Sequence, residues 1–208
     1  GIHAGEPDGI DATMMLMRDL AMGKIKTAKN TFIAAIPVYS VGGMLNRNSH
    51  SRANQNGPEE YGFRGNARNY DLNRDFIKSD TKNSRSFQKL FTELNPDIFL
   101  DNHVSNGADY QYTFTCIATQ HERLGNKLGN YFINELYPSV VKDMNKKKID
   151  VVPYVNVHST TPDKGFEQFT DTPRYATGYS TLFHTLGFVP ETHMLKVYKE
   201  SVKVTYEI

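Results

Sequence analysis

His3, Glu6 and His103 are side chains of the kinds that hold a divalent metal ion at a catalytic site, where three protein ligands leave one position open. His3-Ala4-Gly5-Glu6 sets an imidazole and a carboxylate three residues apart, close enough in a tight turn or at a strand end to face one ion. Alone, a His-x-x-Glu pair is commonplace and reads equally well as a solvated turn. Its weight comes from the motifs downstream of it and their order. Asp71-Leu72-Asn73-Arg74 comes next, then His103 after the apolar run Ile98-Phe99-Leu100, then Glu191 after Gly187-Phe188-Val189-Pro190.

Hydrolysis is the chemistry such a set supports. A zinc ion lowers the pKa of a bound water to about 7 and polarises a carbonyl. A nearby carboxylate, a role that suits Glu191, can take the water's proton and return it to a leaving amine. Arg matches a carboxylate with two parallel hydrogen bonds, and a second Arg beside the metal would face a developing oxyanion. Arg64, Arg68 and Arg74 are available. Arg74 has the strongest motif support, Arg64 is preferred to Arg68 for the oxyanion, and Arg68 reads as a solvated loop charge.

In this order the motifs resemble the zinc metallocarboxypeptidases of the M14 family, the carboxypeptidase A type, from the first residues to about Lys196. The resemblance implies that His3, Glu6 and His103 bind one Zn²⁺ and that Glu191 is the general base. It further implies that Asn73 and Arg74 grip the substrate's terminal carboxylate, that Arg64 stabilises the oxyanion, and that Asp71 supports His3 from behind. Asp101, two residues before His103, is a candidate to support that imidazole, since metal-bound histidines usually donate their other N–H to a carboxylate or carbonyl. The tyrosine that covers the substrate falls at Tyr175 or Tyr179, with Tyr175 aligning better. The specificity position falls near Thr181, without a legible side-chain preference. His193 would share a strand face with Glu191 and touch the site. Three activities are compatible with these residues: a carboxypeptidase acting on peptides, a zinc amidohydrolase acting on small acylated amino acids or cell-wall peptides, and a non-catalytic binding module of the same fold. The retained Glu191 and arginines argue for the first.

The elements that must position these residues are those of an α/β protein. The 208 residues, 38% hydrophobic, suit one catalytic domain over residues 1–208 with a substantial core. Helices are expected over residues 8 to 22, capped by Asp8 with its methionines in the core, over 83 to 94, over 121 to 144 as the longest, and over 177 to 186. Strands are expected at 31 to 41, 97 to 103 (buried on both faces), 110 to 118 (at an edge), 151 to 157 and around Glu191. The alternation predicts a three-layer α/β/α sandwich with a mixed, mostly parallel sheet and ligands at the carboxyl ends of strands. The long polar stretch 46 to 74 reads as a functional loop.

A net charge of +1 gives no push toward nucleic acid, and Lys146-Lys147-Lys148 reads as a solvated helix end. No segment has the run of about eighteen apolar residues a membrane span needs. The single cysteine, Cys116, reads as a core strand residue, and His184 as a core histidine. Gly1 stands directly before the metal motif and the tail 202–206 looks strand-like. Against the family, this reads as a domain truncated at both ends, lacking N-terminal strands and a C-terminal helix. A secreted or periplasmic location is favoured.

Overall fold

The computed structural model describes residues 1–105 and 109–208. Its helices are α1 (Asp8–Ala21), α2 (Val41–Leu45), α3 (Lys82–Leu94), α4 (Asn126–Tyr131), α5 (Tyr137–Lys146), α6 (Ala176–Ser180) and α7 (Tyr198–Glu207). The strands are β1 (Ile98–Leu100), β2 (His103–Val104), β3 (Phe114–Ala118), β4 (Val152–Pro153), β5 (Val155–Val157), β6 (Phe166–Gln168) and β7 (Leu186–Thr192). Five strands form one mixed sheet in the order β1-β7-β3-β4, with β2 continuing beside β7; β5 and β6 form a separate antiparallel pair. β1 and β2 run parallel to β7, β3 runs antiparallel to it, and β4 runs parallel to β3.

Alternation along the strands divides the core into two layers. From β7 and β3, Leu186, Phe188, Phe114 and Cys116 face one side, where Leu124, Phe132 and Met144 close over them. Val189 and Ile117 face the other side and pack with Leu72, Phe76, Phe91 and Tyr179. Helices therefore cover both faces, which makes the three-layer α/β/α arrangement. Among the described residues, no helix is long and apolar enough to cross a membrane.

α3 shows how local chemistry fixes an element. Thr81 caps it by accepting a hydrogen bond from the Ser84 N–H at 3.1 Å, and Asp75 accepts from both the N–H and the hydroxyl of Thr81. Asn95 ends the helix in the left-handed conformation at φ 43°. Phe87 and Phe91 then stack edge-on against Phe76 and Phe99 respectively.

Several expectations are corrected. Asp8 does not cap α1; Pro7 stands at the cap and the Asp8 carboxylate accepts from the Thr192 hydroxyl at 2.5 Å. Met14, Met17 and Met22 are exposed, because Ile10 and Ala12 supply the buried stripe of α1. Residues 31–40 form no strand, and Phe32 is 79% exposed. Ile98 and Leu100 are exposed and Phe99 is half-buried, so β1 is covered on one side only. β3 lies inside the sheet between β7 and β4, not at an edge. The long helix is broken at Gly125, whose φ is +74°, and its later part passes through a π turn at Phe132–Leu136. The helix expected at 177 to 186 ends at Ser180, with a 3₁₀ turn at Thr181–Phe183 and β7 beginning at Leu186. His184 is exposed at the end of that turn rather than in the core.

The tail is also corrected. It forms α7, because Ser201, Val202, Val204 and Thr205 make a buried helical stripe. Tyr198 and Tyr206 tie it to α1 through Asp11 at 2.7 Å and Asp19 at 3.0 Å.

Candidate metal centre

β7 is the spine of the site. Its register places Glu191 beside His103 of β2 on one side and beside Thr115 of β3 on the other. Paired residues project to the same face of a sheet, so His103 and Glu191 both point into the layer that holds Val189 and Ile117. His3 and Glu6 arrive on the turn before α1, closed by the Glu6 N–H bonding the His3 carbonyl at 3.0 Å. Gly62 lies flat against this turn: its N–H bonds the Ala4 carbonyl at 3.1 Å, and a Cβ there would meet the Ala4 Cβ at 2.6 Å.

Ligand atoms of His3, Glu6 and His103 lie within 4.8 Å of one another, and all three side chains are buried. The two carboxylate oxygens of Glu6 face the Nδ1 atoms of His3 at 3.0 Å and of His103 at 2.9 Å. Behind each ring stands a second carboxylate, Asp71 at 2.9 Å from His3 Nε2 and Asp101 at 3.0 Å from His103 Nε2. With Nε2 donating outward, both Nδ1 atoms are free to give a lone pair to an ion once their protons leave. That arrangement is how histidine ligands are normally held. The Val104 N–H fixes Glu6 from the sheet at 2.9 Å. These residues fit a zinc-type ion by ligand type, orientation and support.

Charge is balanced tightly around the cluster. Burial alone would raise the Glu6 pKa, but His3 and His103 hold it well below the usual carboxylate range. Burial opposes a charge on His103, yet Asp101 and Glu6 raise its pKa well above the ordinary imidazole value. Asp71 is likewise held low, against its burial, by His3 and Arg64. Glu191 goes the other way. Burial, with Glu6 and Asp101 nearby, pushes its pKa up to about 8, so in the chain alone it holds its proton at neutral pH.

His3, Glu6, Arg64, Asn73, Arg74, His103, Tyr175 and Glu191 all line one cavity of about 200 Å³. Arg64 forks onto Asp71 through Nε and Nη2 at 3.0 and 2.8 Å. Arg68 is exposed. The Arg74 guanidinium lies over the Tyr175 ring, 4.7 Å from its centroid. Tyr179 is buried in the core, and Thr181 bonds the Gly178 carbonyl and does not line the cavity. His193 is buried beside Tyr110 and Asp109 rather than in the cavity.

Two residues of the site carry no signal in the sequence. Arg52 is 8% exposed and reaches a Glu6 oxygen at 2.8 Å, while its Nε bonds Gln55 at 3.0 Å. Asp171, also buried, lines the cavity near Tyr175. Neither stands at a telling spacing, and an arginine in a polar loop is unremarkable on its own.

No protein-family model matches the chain. Over 106 residues, half of its length, it is 30% identical to a probable carboxypeptidase 2 of Arthroderma benhamiae, of which this covers 17%. Its fold is similar to the crystal structure of a metallo-carboxypeptidase from Burkholderia cenocepacia, with a TM-score of 0.51 at 12% identity. That likeness covers 70% of this chain and 39% of the other, and it shows an α/β fold shared with that protein.

Proposed function

We propose that the chain is the catalytic domain of a zinc-dependent metallocarboxypeptidase, which hydrolyses C-terminal peptide bonds. The observation that carries this reading is the convergence of His3, Glu6 and His103, each imidazole backed by a carboxylate, on a cavity shared with Glu191 and Arg74. The similarity to a probable carboxypeptidase over half the chain supports it. The fold shared with a metallo-carboxypeptidase is consistent with it.

His3, Glu6 and His103 would hold one Zn²⁺. When bound, the ion supplies a water of lowered pKa and polarises the scissile carbonyl. Glu191, on the same sheet face as His103, accepts a proton from the attacking water and returns it to the leaving amine. Arg74 leaves its stack on Tyr175 to receive the terminal carboxylate in a two-pronged hydrogen bond, with Asn73 beside it. Arg64, held by Asp71 at the cavity wall, offers its remaining N–H groups to the developing oxyanion. Tyr175 closes over the substrate.

The deciding experiment is elemental analysis together with hydrolysis of peptides bearing free or amidated C-termini. One zinc per chain with cleavage of free C-termini only is the expected result. Zinc without peptide cleavage would shift the assignment to an amidohydrolase of small acylated amino acids. A chain that binds no metal would refute both.

A further inference from the structure

β5 and β6 form an antiparallel pair set apart from the main sheet, and this pair walls the cavity: Tyr154 before β5, Asn156 within it and Phe169 after β6 all line it. Two backbone bonds orient the pair. The Tyr154 N–H reaches the Cys116 carbonyl of β3 at 3.2 Å, and the His158 N–H reaches the Gly165 carbonyl, just before β6, at 2.9 Å. N–H groups alternate sides along a strand, so residues 154 and 158 turn theirs the same way. β6 therefore lies on the side of this strand on which β3 lies, and beyond β3 comes β7 with Glu191. Its free edge faces the cavity side. The register pairs Val155 with Gln168, Asn156 with Glu167 and Val157 with Phe166, so by the same alternation Asn156–Glu167 is the rung that exchanges ladder bonds. The N–H and C=O groups of Phe166 and Gln168 consequently point out of the pair, and among the described residues no hydrogen bond to another element reaches them. All three residues of β6 are exposed. A free edge of this kind is a template for another extended chain, and a two-stranded ribbon gains stability from a third strand.

We propose that the free edge of β6 takes the substrate as an added β-strand: residues on the N-terminal side of the cleaved bond pair their backbone with Phe166 and Gln168. The inference rests on the peptidase reading for the identity of the ligand, an extended peptide. The cavity, about 200 Å³, lies below the roughly 300–1,000 Å³ typical of pockets for larger ligands, so the chain upstream of a bound terminal residue must lie outside it. Phe169, which lines the cavity, directly follows Gln168, and a peptide leaving the cavity beside Phe169 meets the β6 edge at once. Strand addition takes its affinity from main-chain hydrogen bonds. Recognition at this edge thus selects length and extended shape, which a single acylated amino acid lacks.

The test is fluorescence-anisotropy binding of hexapeptides to the Glu191→Gln chain in zinc-containing buffer, with hydrolysis of the parent hexapeptide by the unmodified chain alongside. Each amide N–H upstream of the last peptide bond is replaced in turn by an ester oxygen. A strand turns alternate residues toward its partner, so affinity should fall about fivefold at every second position and less than about twofold between them. Bound hexapeptide should also slow hydrogen exchange at the Phe166 and Gln168 N–H groups. Gln168→Pro removes one outward N–H and leaves the Asn156–Glu167 rung in place. That variant should lose about fivefold for the hexapeptide and less than about twofold for an Nα-acetyl amino acid. Even losses along the peptide, a hexapeptide that binds no tighter than the Nα-acetyl amino acid, or unchanged exchange at Phe166 and Gln168 would overturn the proposal. Those three readings leave the hairpin unaltered and decide even if Gln168→Pro does not fold. Alternating losses without hydrolysis of the parent peptide would uphold the edge and refute the peptidase. Hydrolysis with even losses would do the reverse.

Discussion

Arg52→Met separates what the proposed metal site does for the fold from what it would do for the ion. Arg52 and Glu6 are both buried, and their ion pair closes at 2.8 Å. At an effective dielectric of about 20 the gross attraction at that distance is about 6 kcal/mol. Removing one partner of such a buried pair typically costs about 3–5 kcal/mol, because the other charge is left uncompensated. In metal-free protein Glu6 would retain the two imidazoles, the Val104 N–H and the more distant Arg64 guanidinium at 3.8 Å, so a loss of about 3 kcal/mol is expected. With zinc bound, the ion compensates Glu6 and the loss should shrink to about 1 kcal/mol.

The difference, about 2 kcal/mol, must by linkage appear as roughly thirtyfold tighter zinc binding in the variant. Methionine keeps the apolar stem but is shorter and gives up the Nε bond to Gln55, a loss common to both states that cancels in the difference. Urea unfolding of chelator-treated and zinc-loaded samples gives the two stabilities, and a competition titration gives the affinity independently. An equal loss in both states, or zinc affinity unchanged or weakened, would refute the idea that Arg52 and the ion compete for the same carboxylate.

The site makes three further outcomes testable. Glu191→Gln should abolish turnover while zinc stoichiometry stays near one per chain; retained turnover would remove Glu191 from the base role. Arg74→Ala should raise KM for peptides with a free C-terminal carboxylate, and an equal effect on amidated peptides would exclude the grip assigned to it. The last concerns pH. Glu191 titrates near 8 in the folded chain against an ordinary value of 4.5, so the folded state binds the proton more tightly. Its contribution to stability is therefore present below pH 4.5 and is lost as pH rises through about 8. Metal-free protein should lose unfolding free energy across that window, as His103, also shifted upward, loses its proton in the same direction. Glu191→Gln should flatten the slope, and an unchanged slope would show that the shift lies elsewhere.

The residues that meet in the cavity were more legible in the sequence than the bounds of the elements around them. His3, Glu6, Asp71, Asn73, Arg74, His103 and Glu191 stand in motifs with fixed order, and all except Asp71 line one cavity, with Asp71 bonded behind His3. Chemistry of that kind leaves residue identities at definite spacings. Packing leaves weaker traces. Thr31 to Val41 has a β-branched, aromatic composition, but a strand also needs a partner to pair its backbone, and composition says nothing about whether one is there. The tail alternates Val202, Lys203, Val204 like a strand, yet burial of one stripe against α1 makes it helical, since tertiary contact overrides propensity. Arg52 was invisible because its meaning comes from Glu6, a residue forty-six positions away that approaches only in the folded chain.

Pairing of His103 with Glu191 across adjacent parallel strands has a consequence for how the site tolerates change. Neighbouring strands in any sheet lie about 4.8 Å apart, a spacing set by backbone hydrogen bonds and not by side chains. The gap between the proposed ligand and the proposed base is thus a period of the sheet, as indifferent to surrounding sequence as the pitch of a helix. Arg52, Arg64 and Arg74 hang instead on the long segment between α2 and α3, where length and shape are free to vary. Changes there would retune what the cavity accepts while His103 and Glu191 keep their distance.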